Sequence, residues 1–182
     1  RPPSIATDAE GKRTTNAQLT ARMVVIAEVE ILCLASYLEC GLGFAGPNHE
    51  FLIDLDFVTR GGEILFILGL DANATPEAWD EMGWGEETFL EHLDAVIITV
   101  TGSKITCSGA HNTEGGSNID YFIVSVALLC CIRSCTTDFA VPFSAHFGIC
   151  LKFSAEPSVI RNCVLIKPDM PRHVYEIERG RS

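Results

Sequence analysis

The run EILFILGL at 63–70 is apolar after its first residue and stops abruptly in Asp71-Ala72-Asn73-Ala74-Thr75-Pro76. A short, unbroken apolar run reads as a strand covered on both faces, in the middle of a sheet. A sheet covered on both sides requires a layered fold, and this constrains the chain more than any other feature. Thr75-Pro76-Glu77 reads as a helix start, with a hydroxyl cap, proline where its missing N–H costs nothing, and an acid in the first turn. Between strand and helix stand a carboxylate and an amide two residues apart. Either they form an Asx turn that leads into the cap, or they are reactive groups delivered to a sheet end.

The neighbouring segments interleave the two periodicities. RMVVIAEVEILCLASYL is rich in β-branched residues and long enough for two strands, with a tight link near Glu28 and Glu30. HEFLIDLDFVTR places Phe51, Leu52, Leu55 and Val58 at helical spacing, with Asn48 as its expected cap and the glycines of RGG as its stop. EETFLEHLDAVIITV reads as a helical turn followed by a strand over 95–100. IDYFIVS is a strand, and VALLCCI a short helix that Ser125 can cap. In FGICLKF the residues Phe147, Ile149, Leu151 and Phe153 alternate with polar or small ones, as on a half-covered strand. This gives an α/β fold with helices on a mixed sheet. The expected division is a polar, mobile N-terminus at 1–18, one domain at 19–155 and a peripheral tail at 156–182.

With 182 residues the chain holds one domain with a real core, and 47% hydrophobic residues argue against disorder. The 24 acidic side chains outnumber 13 basic ones, which excludes a simple electrostatic nucleic-acid binder; work on phosphates needs cations to mask the acids. The 8 cysteines show no Cys-x-x-Cys spacing and lie mostly in apolar runs. Buried free thiols in a reducing compartment are expected, with Cys130, Cys131 and Cys135 serving core and helix packing. Residues 1–18 lack the apolar core of a secretory signal, and the longest apolar stretches are too short or too charged to span a bilayer. The expectation is an intracellular protein with no membrane partner. His92 and His111 read as surface residues, and Glu86-Glu87 as a solvated acidic run.

Three segments share one design, an apolar strand with polar, reactive residues at its end. They are LGLDANATP with Asp71 and Asn73, SNIDYFIVS with Asp120, and PFSAHFGICLKF with His146, while an earlier strand ends at Tyr37. Strand ends are where α/β proteins place active-site groups. An aspartate there serves as general base, and an Asp–His pair polarises a phosphate oxygen. Taken singly, each residue also has a plain structural role: a turn for Asp71, a bend for Asp120, core packing for His146 and Tyr37.

The order YLECGLG…PN, LGLDANATP, GGSNIDYFIVS and PFSAHFGICLKF resembles the endonuclease/exonuclease/phosphatase superfamily, and TP followed by a Trp-bearing helix is similar to its retroelement-type members. The resemblance covers about 23–153. It implies a two-sheet sandwich flanked by helices and Mg2+- or Mn2+-dependent hydrolysis of a phosphoester, with nucleic acid the foremost partner. It further implies that Asp71 positions or deprotonates water, Asn73 orients nucleophile or phosphate, Asp120 holds His146, His146 donates to the scissile phosphate, and Tyr37 faces the phosphate. Two departures accompany it. Ala145 replaces a metal-associated aspartate in Ser144-Ala145-His146, and the family's first strands, which carry a metal-binding glutamate, are not found in the chain. The alternative expectation is therefore a catalytically inactive remnant that serves as a structural or interaction module.

Overall fold

The computed structural model of the chain describes residues 19–82, 89–102, 105–108, 116–140 and 145–154. The expectations placed on 1–18, on 156–182 and on Glu86, Glu87, His111, Ser144 and Cys163 fall outside these residues. Chain order is β1 (Thr20–Ile26), β2 (Val29–Tyr37), α1 (Pro47–Thr59), β3 (Phe66–Asp71), α2 (Pro76–Glu81), α3 (Phe89–His92), β4 (Ala95–Ile98) and β5 (Asp120–Ser125). A 3-10 helix (Val126–Cys131) follows, then β6 (Ile132–Asp138) and β7 (Gly148–Phe153). Five strands form one sheet in the order β1-β2-β3-β5-β4, and β6 and β7 form a second. No helix of the described residues is long and apolar enough to cross a membrane.

The apolar run of the sequence becomes β3, at the centre of the five-stranded sheet. It pairs parallel with β2 and antiparallel with β5. A parallel pair needs a crossover, which α1 provides. Phe66, Leu68 and Leu70 point to the helical side, where Leu32 and Leu34 of β2 and Tyr121 and Ile123 of β5 join them. Phe51, Leu55 and Val58 of α1, Trp79 of α2, and Leu90 and Leu93 cover this face; all are buried. Each such side chain contributes roughly 1.5–3 kcal/mol by leaving water. On the opposite face Gly69 gives room to Phe122, whose ring lies 3.5 Å from where a Cβ would stand.

Several local expectations change in the folded chain. The β1–β2 link falls on Ala27 and Glu28, both at positive φ, as a two-residue hairpin turn of the mirror-image kind requires. Asn48 does not cap α1. Gly46 occupies that position, and the buried Asn48 amide instead accepts from Glu39 N and donates to the carbonyls of Glu39 and Gly43. It thereby fixes the loop after β2. Arg60, rather than a glycine, takes the left-handed position that ends α1. Thr75 caps α2 as expected, its hydroxyl accepting from Ala78 N. Ser125 makes no cap bond, because its Oγ accepts from the buried Phe66 N at 2.9 Å. Strand β4 ends at Ile98, short of 100.

Strand β6, IRSCTTD, has no counterpart in the expectations. Its single fully buried side chain, Cys135, gives no apolar period to read. The thiols are less uniform than the apolar runs imply: Cys107, Cys131 and Cys135 are buried, Cys33 is intermediate, and Cys40, Cys130 and Cys150 are exposed, all of them free.

Candidate active site

Asp71 ends β3 and Asp120 begins β5, and the antiparallel register sets them directly opposite one another. Tyr37 ends β2 opposite Asp71. Residues in one register row share a face, so Tyr37, Asp71 and Asp120 form a polar row across three adjacent strands. The row lies on the face opposite the helical core, because it is one residue out of step with Leu70 and Tyr121. Tyr37 is 38% exposed, which sets aside its reading as a core residue.

His146 arrives from the segment that leads into β7 of the other sheet. Its Nδ1 lies 3.1 Å from both carboxylate oxygens of Asp120, and its Nε2 lies 3.8 Å from Asp71 Oδ2. The carboxylate accepts the Nδ1 hydrogen, which leaves Nε2 turned toward Asp71 across a gap too wide for a direct hydrogen bond. The Asp120 side chain is 13% exposed, against 29% for Asp71 and 32% for His146, so the carboxylate that holds the ring lies deeper than the ring itself.

Burial pushes the Asp71 carboxyl above its ordinary range, and the negative charge of Asp120 pushes it the same way. His146 and the Asn73 N–H act against them. Like charges directly opposite on paired strands are unfavourable. The result is a carboxylate of enhanced basicity next to an imidazole. Beneath it, burial and nearby acids drive the Tyr121 phenol far up, and its buried hydroxyl finds no partner among the described residues.

Asn73 sits at φ 51, in the left-handed region that asparagine tolerates. Its backbone N–H donates to Asp71 Oδ1 at 3.2 Å, which is an Asx turn, and its Nδ2 donates to the Leu38 carbonyl at 2.6 Å. Asn73 therefore ties the end of β3 to the residue after Tyr37. The turn and the polar site are one construction.

What brings the two sheets into register at this point is the segment 105–108, which has no apolar period to mark it as a strand. The fully buried Thr106 accepts from the N–H groups of Ile119 and Asp120, both at 3.0 Å, and donates to the Ser117 carbonyl. Its own carbonyl receives Phe147 N at 2.7 Å. Cys107 bridges to Ser117 on one side and to His146 on the other, and Ser108 N donates to the Ala145 carbonyl at 2.7 Å. One short strap thus fixes the backbones that carry both members of the Asp120–His146 pair. Gly116 lets it close, since at φ 73 it lies where a Cβ would collide with Ile105 and the Cys107 carbonyl. The β-branched pair Ile105-Thr106 was the available signal, but too short to register as a strand.

Asp71, Asp120 and His146 offer ligand atoms that all lie within 4.8 Å of one another. Two carboxylates and an imidazole are a donor set that fits a divalent cation. Since Asp120 is engaged with His146, Asp71 Oδ2 is the freest donor. Ala145, where the resemblance expects a carboxylate, contributes no ligand, and it stands at φ 69, a conformation alanine rarely adopts.

No protein-family model and no curated protein sequence matches the chain. Solved structures do. It is similar to the endonuclease domain of TRAS1, a telomere-specific non-LTR retrotransposon, at 18% identity and a TM-score of 0.57 over 74% of this chain and 63% of that one. It is also similar to the human nocturnin catalytic domain, at 18% identity and TM-score 0.53 over 82% of this chain and 56% of that one. An endonuclease/exonuclease/phosphatase from Bacteroides vulgatus matches at 16% identity and TM-score 0.54, over 82% and 61%. The chain therefore spans less than two thirds of the length of each of these structures. The central mixed sheet with its helices, the second sheet and these neighbours together give this chain the fold of the endonuclease/exonuclease/phosphatase superfamily.

Proposed function

We propose that the site hydrolyses a phosphoester with the help of a divalent cation, and that its substrate is a nucleic-acid strand. The observation that carries this reading is the convergence of Asp71 and Asp120, from two strand ends of one sheet, with His146, from the segment before β7. The Asp71 carboxylate, its basicity raised, takes a proton from water, which attacks phosphorus as the ester P–O bond breaks and the leaving oxygen takes a proton from solvent. A base works best when its pKa approaches the working pH, and both burial and Asp120 move Asp71 that way. Asp120 holds the His146 ring by Nδ1, so that the ring, once protonated on both nitrogens, donates from Nε2 to a phosphate oxygen. The Tyr37 hydroxyl, on the exposed end of the row, orients the phosphate. Asp71 and Asp120 would hold Mg2+ or Mn2+, which would supply positive charge against the negative charge that builds on the phosphate oxygens.

The nucleic-acid direction rests on likeness in fold to a retrotransposon endonuclease domain rather than on charge. Among the described residues the basic ones are Arg22, Arg60, Arg133 and Lys152, and none belongs to the site. A second reading, an inactive module that keeps the fold, is favoured by one observation, the alanine at 145.

A cleavage assay separates the two. Labelled single- and double-stranded DNA oligonucleotides and an aryl phosphodiester are incubated with the chain in Mg2+ or Mn2+. Asp71→Ala and His146→Ala are each expected to slow hydrolysis by about 10²-fold or more. Wild-type rates equal to those of both variants on every substrate would end the enzyme reading.

A further inference from the structure

The chain carries a second cluster of ligating side chains, at the far end of the fold from the acidic site. Strand β5 leads away from Asp120 and β7 leads away from His146, each six residues long and so about 20 Å. Both end near the 3-10 helix, where Ser154 N donates to the Cys131 carbonyl at 2.8 Å. The last two residues of that helix are Cys130 and Cys131, adjacent in sequence, with their sulfurs 3.7 Å apart. Cys130 is exposed, and Cys131 is 8% exposed against an apolar wall that includes Leu128 and Phe153.

We propose that Cys130 and Cys131 form a bidentate site for a thiophilic cation such as Zn2+ or Cd2+. Two thiolates bonded at about 2.3 Å to one tetrahedral ion stand about 3.8 Å apart, close to the separation these sulfurs already have. The chain needs no rearrangement to present that bite. A disulfide, by contrast, requires the sulfurs to close to about 2.05 Å. The Cys130 thiol donates to the Ala127 carbonyl at 3.6 Å, a long contact that is given up when the sulfur is deprotonated. On binding, each Sγ–H releases its proton to solvent and each sulfur donates an electron pair to the ion, with no change of oxidation state. Water completes the coordination on the exposed Cys130 side. Thiolate ligands select zinc-like and softer ions over Mg2+ or Ca2+, so the pair and the acidic site differ in the cation they take.

The test is a Cd2+ titration of the full chain, kept reduced, read by the ultraviolet charge-transfer band of thiolate bound to cadmium. Carboxylates and imidazole give no such band, so binding at Asp71, Asp120 and His146 does not contribute. One equivalent of Cd2+ is expected to saturate the band. Cys130→Ser and Cys131→Ser are each expected to weaken it at least tenfold, while Cys150→Ser, which removes an exposed thiol elsewhere, leaves it unchanged. Cys130 is exposed, so its serine variant folds, and circular dichroism checks this. Absence of the band in the wild type, or an unchanged titration in Cys130→Ser, would overturn the proposal.

Discussion

Replacing Thr106 by valine keeps the shape of the side chain and removes one oxygen. That oxygen accepts from the N–H groups of Ile119 and Asp120 at 3.0 Å each, inside a residue with no exposed surface. Valine leaves both donors without this partner. A buried donor that loses its partner costs about 1–3 kcal/mol. Two such donors bring the loss to about 2–6 kcal/mol, nearer the low end because water reaches the partly open site. The Ser117 carbonyl suffers little, since it still receives the N–H groups of Thr106 and Cys107. A loss of that size is a large part of the 5–15 kcal/mol that holds a typical domain together. Urea unfolding followed by circular dichroism is expected to show the midpoint falling by about 1–2 M, with an unchanged slope. Thr106→Ser keeps the oxygen and is expected to cost only about 1 kcal/mol, for the lost methyl. A valine variant within about 0.5 kcal/mol of wild type, or one no worse than serine, would refute the assignment of the strap to this hydroxyl.

Other expected outcomes concern Asp71 and Ala145. A carboxyl whose pKa is raised on folding binds its proton more firmly folded than unfolded. Stability is therefore gained as pH falls through the raised value and lost above it. Asp71→Asn is accordingly expected to melt higher than wild type near pH 7 and to converge with it below about pH 3.8, the ordinary aspartate value; an equal or lower melting temperature at neutral pH would contradict the burial argument. Ala145→Gly relieves the left-handed alanine and is expected to be neutral to about 1 kcal/mol stabilising in thermal melts, although glycine elsewhere lowers stability. Ala145→Asp brings in a residue type that tolerates this backbone better than alanine and adds a carboxylate next to His146. Calorimetric titration should show Mg2+ binding severalfold tighter, and no change would remove this position from the cation's surroundings.

The elements legible in the sequence are those with a local physical cause. An unbroken apolar run announces the central strand, and Thr75-Pro76 announces a helix by a cap that forms as expected. Asp71, Asp120 and His146 were legible as strand-end residues because polarity breaks the pattern there. Strand β6 was not, since its pairing with β7 rests on backbone hydrogen bonds, which most polar residues can make. Asn48 and Ser125 look like caps in one dimension. In three, each has a stronger demand to meet, a loop carbonyl or a buried N–H from another element.

The sequence by itself determined which side chains stand at strand ends and which faces are apolar, because side-chain period and turn chemistry act over a few residues. Only the tertiary structure decided that Asp71 and Asp120 are paired across one register, that a strap centred on Thr106 fixes Asp120 and His146 from two sheets, and that two adjacent thiols hold their sulfurs at 3.7 Å. Those contacts join residues far apart in the chain or depend on which side of an element meets solvent. Their energies come from burial and register, and neither exists until the strands have met.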